Sequence, residues 1–324
     1  MEKILTHEEL DFYKYTASDF DEIAVRALEF EDANFPPELQ EDEASIREAC
    51  SAEGTIGIVI LDRASNKLIG MRYGTPLDSF TTEDFEGHWH PENYPKFQGF
   101  KTLYSMSTAI HKNYRGRDLG LIMSYEFAKQ ARDLGYHYII GHAHIGAMLN
   151  LTKLLEGEVI EKFPRWYGSK QTHYLYEMRL SLLPKLLYVP KVTQKKEWDC
   201  GNATLKNLNA VYGINGATPE SSEKTGMSHV DMIKYLATIY THLEYSYLSD
   251  FDWIRKHIEA GHTAIVNYFA HGDGHYSLVC GVSPKNIFIR DVADGKIKKY
   301  DHKQFIKKWY SPTYGKRFMA VAWQ

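Results

Sequence analysis

A thiol, an imidazole and a carboxylate are spread along the C-terminal part of this 324-residue chain: Cys200, His275 and Asp291. Cys200 opens a stretch with Ala203, Leu205, Leu208 and Val211 on or near one helical face. A thiol at a helix N-terminus feels the positive end of the helix dipole, which favours thiolate. His275 stands at the start of an expected strand, after the turn His271-Gly272-Asp273-Gly274. Asp291 lies near the end of the next, residues 286–292. Adjacent strands then bring His275 and Asp291 to one sheet edge, facing the helix that presents Cys200. That grouping supplies a nucleophile, a base that takes and returns a proton, and an acceptor that fixes the imidazole tautomer. Gln194, six residues before Cys200, is placed to donate its amide to a developing oxyanion, joined by the Cys200 backbone N–H.

Taken together, Gln194, the run Asp199-Cys200-Gly201-x-Ala203-x-Leu205, Tyr212-Gly213, Gly274-His275-Tyr276 and Asp291 resemble the papain-fold cysteine peptidases that process bacteriocins after a double glycine. The resemblance covers about residues 188–324. It implies Cys200 as nucleophile, His275 as base, Asp291 as its orienter and Gln194 as oxyanion donor. Val292 stands where that family usually has proline. The transporter to which such peptidases are often fused is missing, so an exported leader peptide is not assumed as substrate. Cys280 lies within an apolar strand and reads as core, and Cys50 as a helix residue without a partner.

A second constellation lies in the N-terminal half. An expected strand at 103–111 runs into Lys112-Asn113-Tyr114-Arg115-Gly116-Arg117-Asp118-Leu119-Gly120, which opens a helix. A glycine-containing turn at a helix N-terminus offers free N–H groups and partial positive charge, suited to pyrophosphate. It has neither the glycine spacing nor the Gly-Lys-Ser/Thr of a Walker loop, and it lacks the glycine triplet of a dinucleotide fingerprint.

Ile110-His111-x-x-Tyr114-Arg115-Gly116-Arg117-x-Leu119-Gly120, with Asn150 in Ala147-Met148-Leu149-Asn150, resembles the acyl-CoA pyrophosphate loop of the GNAT N-acyltransferase superfamily. This likeness covers about residues 1–180. It implies that Ile110, Arg115, Gly116, Arg117, Asp118, Leu119, Gly120 and Asn150 bind acetyl-CoA or a longer acyl-CoA. Two departures bear on activity. Asp118 replaces the first loop glycine, and its carboxylate is expected to cap the helix in competition with pyrophosphate. The tyrosine that often serves as general acid, expected near Gly157, is missing, with Tyr167 and Tyr174 as open substitutes. His142 and His144 share one strand face without acidic or thiol ligands at metal spacing, and the same holds for His88 and His90, so no metal site is expected. A role for the first pair in polarising substrate near an acyl cleft stays open.

These residues need elements to hold them. Strands are expected at 12–16, 55–61, 67–73, 103–111, 136–144 and 173–180. Helices are expected from Ser18, as cap, to about Phe30, then near 41–52, 118–134 and 147–155. Residues 76–100 read as a long loop. Beyond a proline-broken stretch at 181–192, helices at 201–212, 228–243 and 249–260 precede strands at 263–269, 276–282, 286–292 and 317–323, with a short helix near 304–310. The expectation is two domains: an N-terminal α/β GNAT-like mixed sheet flanked by helices (1–181) and a C-terminal α+β papain-like peptidase (193–324), joined by a docked linker (182–192).

Composition narrows the function classes. The chain is 44% hydrophobic and 25% charged, which excludes a disordered or low-complexity protein. With 38 basic and 42 acidic residues it has no basic excess for a nucleic-acid backbone. Three dispersed cysteines form no disulfide framework. The N-terminus is too polar for a signal peptide, and no apolar run approaches the roughly 20 residues of a membrane span. A cytoplasmic enzyme acting on peptides or proteins is expected, its oligomeric state open. One reading is bifunctional, a Cys-His-Asp thiol peptidase fused to an acyl-CoA-dependent N-acyltransferase. The other keeps a single thiol enzyme (peptidase, thioester acyltransferase or deamidase) beside a GNAT-like half that only binds substrate or senses CoA.

Overall fold

The computed structural model describes residues 1–35, 40, 42–81, 85, 89–144, 146–164, 166, 171–270, 272–309 and 317–324. The chain divides into two compact units, Met1–Leu183 and Pro184–Gln324. The stretch expected as a linker is shared between them. Its first two residues close the first unit, and from Pro184 onward it is stitched into the second. There Lys185–Leu186 forms a short strand, Leu187 N–H donates to the Cys280 carbonyl at 2.7 Å, and buried Arg290 donates to the Val189 carbonyl at 3.0 Å.

In the first unit the elements run β1 (Glu2–His7), β2 (Leu10–Thr16), α1 (Ala24–Asn34), α2 (Glu43–Ser51), β3 (Ile56–Asp62), β4 (Leu68–Pro76), β5 (Thr102–Ile110), α3 (Leu119–Asp133), β6 (Tyr138–His144), α4 (Ala147–Leu154), β7 (Glu158–Phe163) and β8 (His173–Arg179). They form one sheet in the order β1-β2-β3-β4-β5-β6-β8-β7. Every pairing is antiparallel except β5 with β6, where the α3 crossover makes the strands parallel. Residues alternate faces along β4: Met71 and Tyr73 join the core under α1 and α2, while Arg72 points to the opposite face, toward α3. The helix expected from Ser18 is capped two residues earlier. Thr16 and Asp19 form a reciprocal capping box, and a short 3-10 segment, Ala17–Glu22, precedes α1.

The β5–β6 pairing is short. Hydrogen-bonded partners run only from Thr102↔Tyr138 to Tyr104↔Ile140, although β5 continues to Ile110 and β6 to His144. An extra residue, Met106, bulges β5 against β4 immediately beyond that point, and bulges bend strands. Past Tyr104 and Ile140 the two strands therefore part and leave a gap in the sheet.

The second unit adds β9 (Lys185–Leu186), α5 (Cys200–Val211), α6 (His229–Ile239), β10 (His242–Ser246), α7 (Phe251–Glu259), β11 (Ala264–Ala270), β12 (Asp273–Val282), β13 (Asn286–Arg290), β14 (Ile297–Asp301), α8 (His302–Trp309) and β15 (Met319–Trp323). Its antiparallel sheet has the order β10-β15-β11-β12-β13-β14, with β9 beside β12. Ile254 and Ile258 of α7 and Phe305 and Trp309 of α8 pack with Val266, Val279, Ile287 and Ile289 of the sheet. Ser228 caps α6 through the Asp231 N–H. Asp250, one residue beyond the expected Ser249 start, caps α7 through the Trp253 N–H at 2.9 Å. The expected helix 228–243 ends at Ile239, and His242–Ser246 pairs as a strand with β15.

Candidate active site

Cys200 is the first helical residue of α5, almost wholly buried. The next residue has to be glycine. A Cβ on Gly201 would lie 2.6 Å from the Met227 Cβ, closer than two carbons approach. Seven residues into α5, fully buried Asn207 clamps the incoming chain: its Oδ1 accepts from the Val192 N–H and its Nδ2 donates to the Val192 carbonyl, both at 3.0 Å. Two residues on, the Gln194 N–H donates to the Val292 carbonyl at 2.8 Å, so the Gln194 segment is tied at once to the Cys200 helix and to the residue following Asp291.

His275 is the third residue of β12, directly opposite Tyr268 of β11, and Asp291 follows the end of β13, the neighbouring strand. His275 Nε2 and Asp291 Oδ1 are 2.8 Å apart and both groups are buried. Cys200 lies close enough to act on the same histidine, favouring its protonated form. With Nε2 turned to the carboxylate, Nδ1 is the ring nitrogen left for the thiol. Burial alone would disfavour protonated His275, but hydrogen bonds to Asp291 and Cys200 and the charges of both groups outweigh it and raise its pKa to about 9.

Asp291 is saturated with donors. Oδ1 also accepts from the Ala293 N–H at 2.8 Å, and Oδ2 accepts from Lys298 Nζ at 2.6 Å and from the Tyr268 hydroxyl at 3.3 Å. Burial opposes its ionisation, yet His275, Lys298 and the Ala293 N–H together hold the carboxyl well below the usual carboxylate range. Burial and the neighbouring Asp291 charge push the Tyr268 hydroxyl up, keeping it protonated as a donor. Lys298 and Tyr268 were missed from sequence. Tyr268 had a signal, since it sits in the strand that pairs with His275.

The Gln194 amide is engaged by backbone carbonyls. Its Nε2 donates to the carbonyls of Lys196 at 3.1 Å and Glu197 at 3.3 Å, both in the turn leading to Cys200. These two bonds use both amide protons, so in this state the side chain shapes the turn and is not aimed as an oxyanion donor.

In the first unit the loop between β5 and α3 carries the other predicted residues. Arg115 Nε donates to the Ile110 carbonyl at 3.0 Å, which folds the loop back on the strand end. Gly116 and Asp118 both have positive φ, 81° and 60°. Asp118 thus adopts the left-handed conformation at the position where the resembled motif has glycine, and aspartate tolerates it better than most side chains. Its side chain makes no capping hydrogen bond to α3, contrary to the expected self-capping. The first-turn N–H groups at Leu119 and Gly120 therefore escape that competition, a donor set that fits a pyrophosphate. Arg117 departs from its expected role: it donates to Glu9 at 2.8 Å and to Glu8, and these carboxylates push its pKa further up. Asn150 is exposed on α4, beside Leu151, whose Cδ1 would lie 3.3 Å from a Cβ on Gly120.

His142 lies on β6 just past the last β5–β6 pair. Its ring stacks on Trp166 with centroids 3.7 Å apart, and Nδ1 is 2.9 Å from the Tyr104 hydroxyl. Burial pushes its pKa well below the ordinary 6.5, and Nε2 is sealed with no hydrogen-bond partner among the described residues. His144 is exposed and its ring meets His173, while His90 pairs with Glu92. Among the described residues no group of three or more His, Cys, Asp or Glu is arranged to hold a metal ion. His88 and Tyr167 lie outside the described residues; Tyr174, the other open substitute, is half-buried opposite Ala143. Cys50 receives a long contact from the Tyr15 hydroxyl at 3.9 Å, which corrects its expected lack of a partner. Cys280 is fully buried on β12.

Residues 186–316 match the model of the Peptidase C39-like family. No curated protein matches the chain. Solved structures that it resembles include Arabidopsis thaliana NAA60 in complex with acetyl-CoA (15% identity, covering 52% of this chain and 98% of that one, TM-score 0.41). A mosquito arylalkylamine N-acetyltransferase like 5b shares 14% identity over 52% of this chain and 99% of its own, with TM-score 0.43. Drosophila melanogaster polyamine N-acetyltransferase shares 13% identity over 52% and 99%, with TM-score 0.37. No helix among the described residues is long and apolar enough to cross a membrane.

Proposed function

We propose that the second unit is a cysteine peptidase. The observation that carries this reading is the buried His275–Asp291 pair, 2.8 Å apart, with Cys200 at the helix start near enough to favour protonated His275. At neutral pH His275 carries its proton. Cys200 attacks a peptide carbonyl, and His275 passes its proton to the leaving amine. The amine departs and leaves a thioester, and His275 then takes a proton from the water that cleaves it. Asp291 keeps the ring oriented and stays ionised throughout. The Cys200 backbone N–H at the helix start stabilises the oxyanion, and Gln194 joins it by exchanging one of its carbonyl partners for substrate oxygen.

The first unit is proposed to bind an acyl-CoA and to carry N-acyl transfer. Three features support this: the gap between β5 and β6, the uncapped first turn of α3, and Gly116 and Asp118 at positive φ. When bound, the thioester supplies an activated acyl carbonyl. The Leu119 and Gly120 N–H groups would hold its pyrophosphate, with Arg115, Ile110 and Asn150 as the further candidate contacts.

Hydrolysis of an amide exposes a new amine, the group that an N-acyltransferase modifies, so the two chemistries can follow one another. Incubating the protein with peptides and acyl-CoA and following masses tests both halves. Cleavage followed by acylation of the new N-terminus is expected. Cleavage with CoA binding and no mass gain would reduce the first unit to a binding or sensing module. An unchanged peptide would contradict the peptidase reading, and a deamidated or transferred product would place other thioester chemistry on Cys200.

A further inference from the structure

Arg72 is a fully buried guanidinium with no ion pair among the described residues. It lies on β4 opposite Thr108 of β5, level with the stretch where β5 and β6 have parted. One end of the fork is held: Nη1 donates to Ser124 Oγ of α3 at 2.7 Å and approaches the Met148 sulfur of α4 at 3.7 Å, while the Phe127 ring covers the guanidinium at 4.7 Å. Nε and Nη2 are sealed from solvent and have no hydrogen-bond partner among the described residues. These two nitrogens form one edge of the guanidinium, with parallel N–H bonds spaced as the two oxygens of a carboxylate are.

Tyr176 of β8 comes to the same place from the other side of the gap; burial disfavours the Arg72 charge, and the Tyr176 hydroxyl, within reach of the guanidinium, is the side-chain group that opposes that loss. It reaches across β6 only because residue 141 is glycine: a Cβ there would lie 2.8 Å from the Tyr176 hydroxyl oxygen. A buried cation is costly without a counter-charge, and a neutral carbonyl would fill the donors without balancing the charge.

We propose that Arg72 Nε and Nη2 bind a carboxylate at the far end of an acyl chain, so that the first unit takes a dicarboxylic acyl group from its CoA thioester in preference to acetyl. This rests on the reading of the first unit as an acyl-CoA site and names the acyl class it accepts.

Calorimetric titration of the full chain with CoA, acetyl-CoA, malonyl-CoA and succinyl-CoA tests it. At least one diacid thioester is expected to bind about tenfold or more tightly than acetyl-CoA. In Arg72→Gln and Arg72→Met that difference should vanish, while the Kd for CoA itself changes less than about threefold. Tyr176→Phe is a milder variant, should the arginine substitutions fail to fold, and it should weaken diacid binding selectively. Equal binding of acetyl-CoA and both diacid thioesters by the unaltered protein would overturn the inference and leave the acyl-CoA reading standing. Failure of CoA and every thioester to bind would end both.

Discussion

Lys298 Nζ lies 2.6 Å from Asp291 Oδ2, on the side of the carboxylate opposite the His275 contact at Oδ1. One buried carboxylate thus serves two cations, the ε-ammonium of an edge-strand lysine and the imidazolium beside Cys200. The lysine competes for the charge that stabilises protonated His275, and its own positive charge disfavours a second one nearby.

Lys298→Met should therefore raise the His275 pKa above about 9 and move the alkaline limb of peptide hydrolysis upward. The side chain is only partly buried, so activity at neutral pH should change less than about tenfold. A pH profile of kcat/KM reads this directly. A purely structural loss would lower the whole profile without moving its limb.

Stability should follow the same pair. His275 has a folded pKa of about 9 against 6.5 unfolded, so its contribution is complete below about 6.5 and is lost as pH rises toward 9. Asp291 is depressed from 3.8, so its contribution is complete above that value and is lost in acid. Urea midpoints should be highest between these limits, and the alkaline decline should flatten in His275→Ala.

Asn207 is predicted to matter without touching substrate. Asn207→Ala leaves the Val192 N–H and carbonyl without their clamp, which should cost about 1–3 kcal/mol in urea unfolding. The Gln194 segment would loosen while Cys200 keeps its helix. Peptide hydrolysis should fall about tenfold or more, with alkylation of Cys200 nearly unchanged.

What the sequence showed and hid divides along the edges of the sheets. The interior strands announce themselves by apolar runs, as in Ile56–Asp62 and Ala264–Ala270. The strands that were missed, Glu2–His7, Glu158–Phe163, His242–Ser246 and Ile297–Asp301, end the two sheets, and Lys185–Leu186 lies off the main strand order. An edge strand has one partner and a wetter face, so its pattern is polar and often charged. Lys298 was invisible for that reason: it sits in Ile-Lys-Lys-Tyr-Asp, which reads as loop until Ile289↔Lys298 pairs it with β13. Cys200, His275 and Asp291 were legible because each sits at an element end with its own local signature. The actual hydrogen bonds of Gln194 were not legible, since they go to backbone carbonyls that no residue type announces.

Arg117 gives a test in the first unit. Its guanidinium is engaged by ion pairs with Glu8 and Glu9. Replacing both glutamates by glutamine frees a cation beside the loop, and CoA affinity measured by calorimetry should rise about two- to tenfold, more at low salt. Unchanged affinity would place the pyrophosphate beyond the reach of Arg117.

The peptidase account stands on the coupling of Cys200 to His275, and site-resolved alkylation across pH examines it most directly. Iodoacetamide modification, mapped by mass spectrometry, should be fast at Cys200, which keeps 7% exposure, and level through neutral pH, with Cys50 and Cys280 protected at 0%. In His275→Ala the Cys200 rate near pH 7 should drop about tenfold or more and rise with pH as an ordinary thiol does. Labelling spread evenly over the three cysteines, or a Cys200 rate indifferent to His275, would contradict the account.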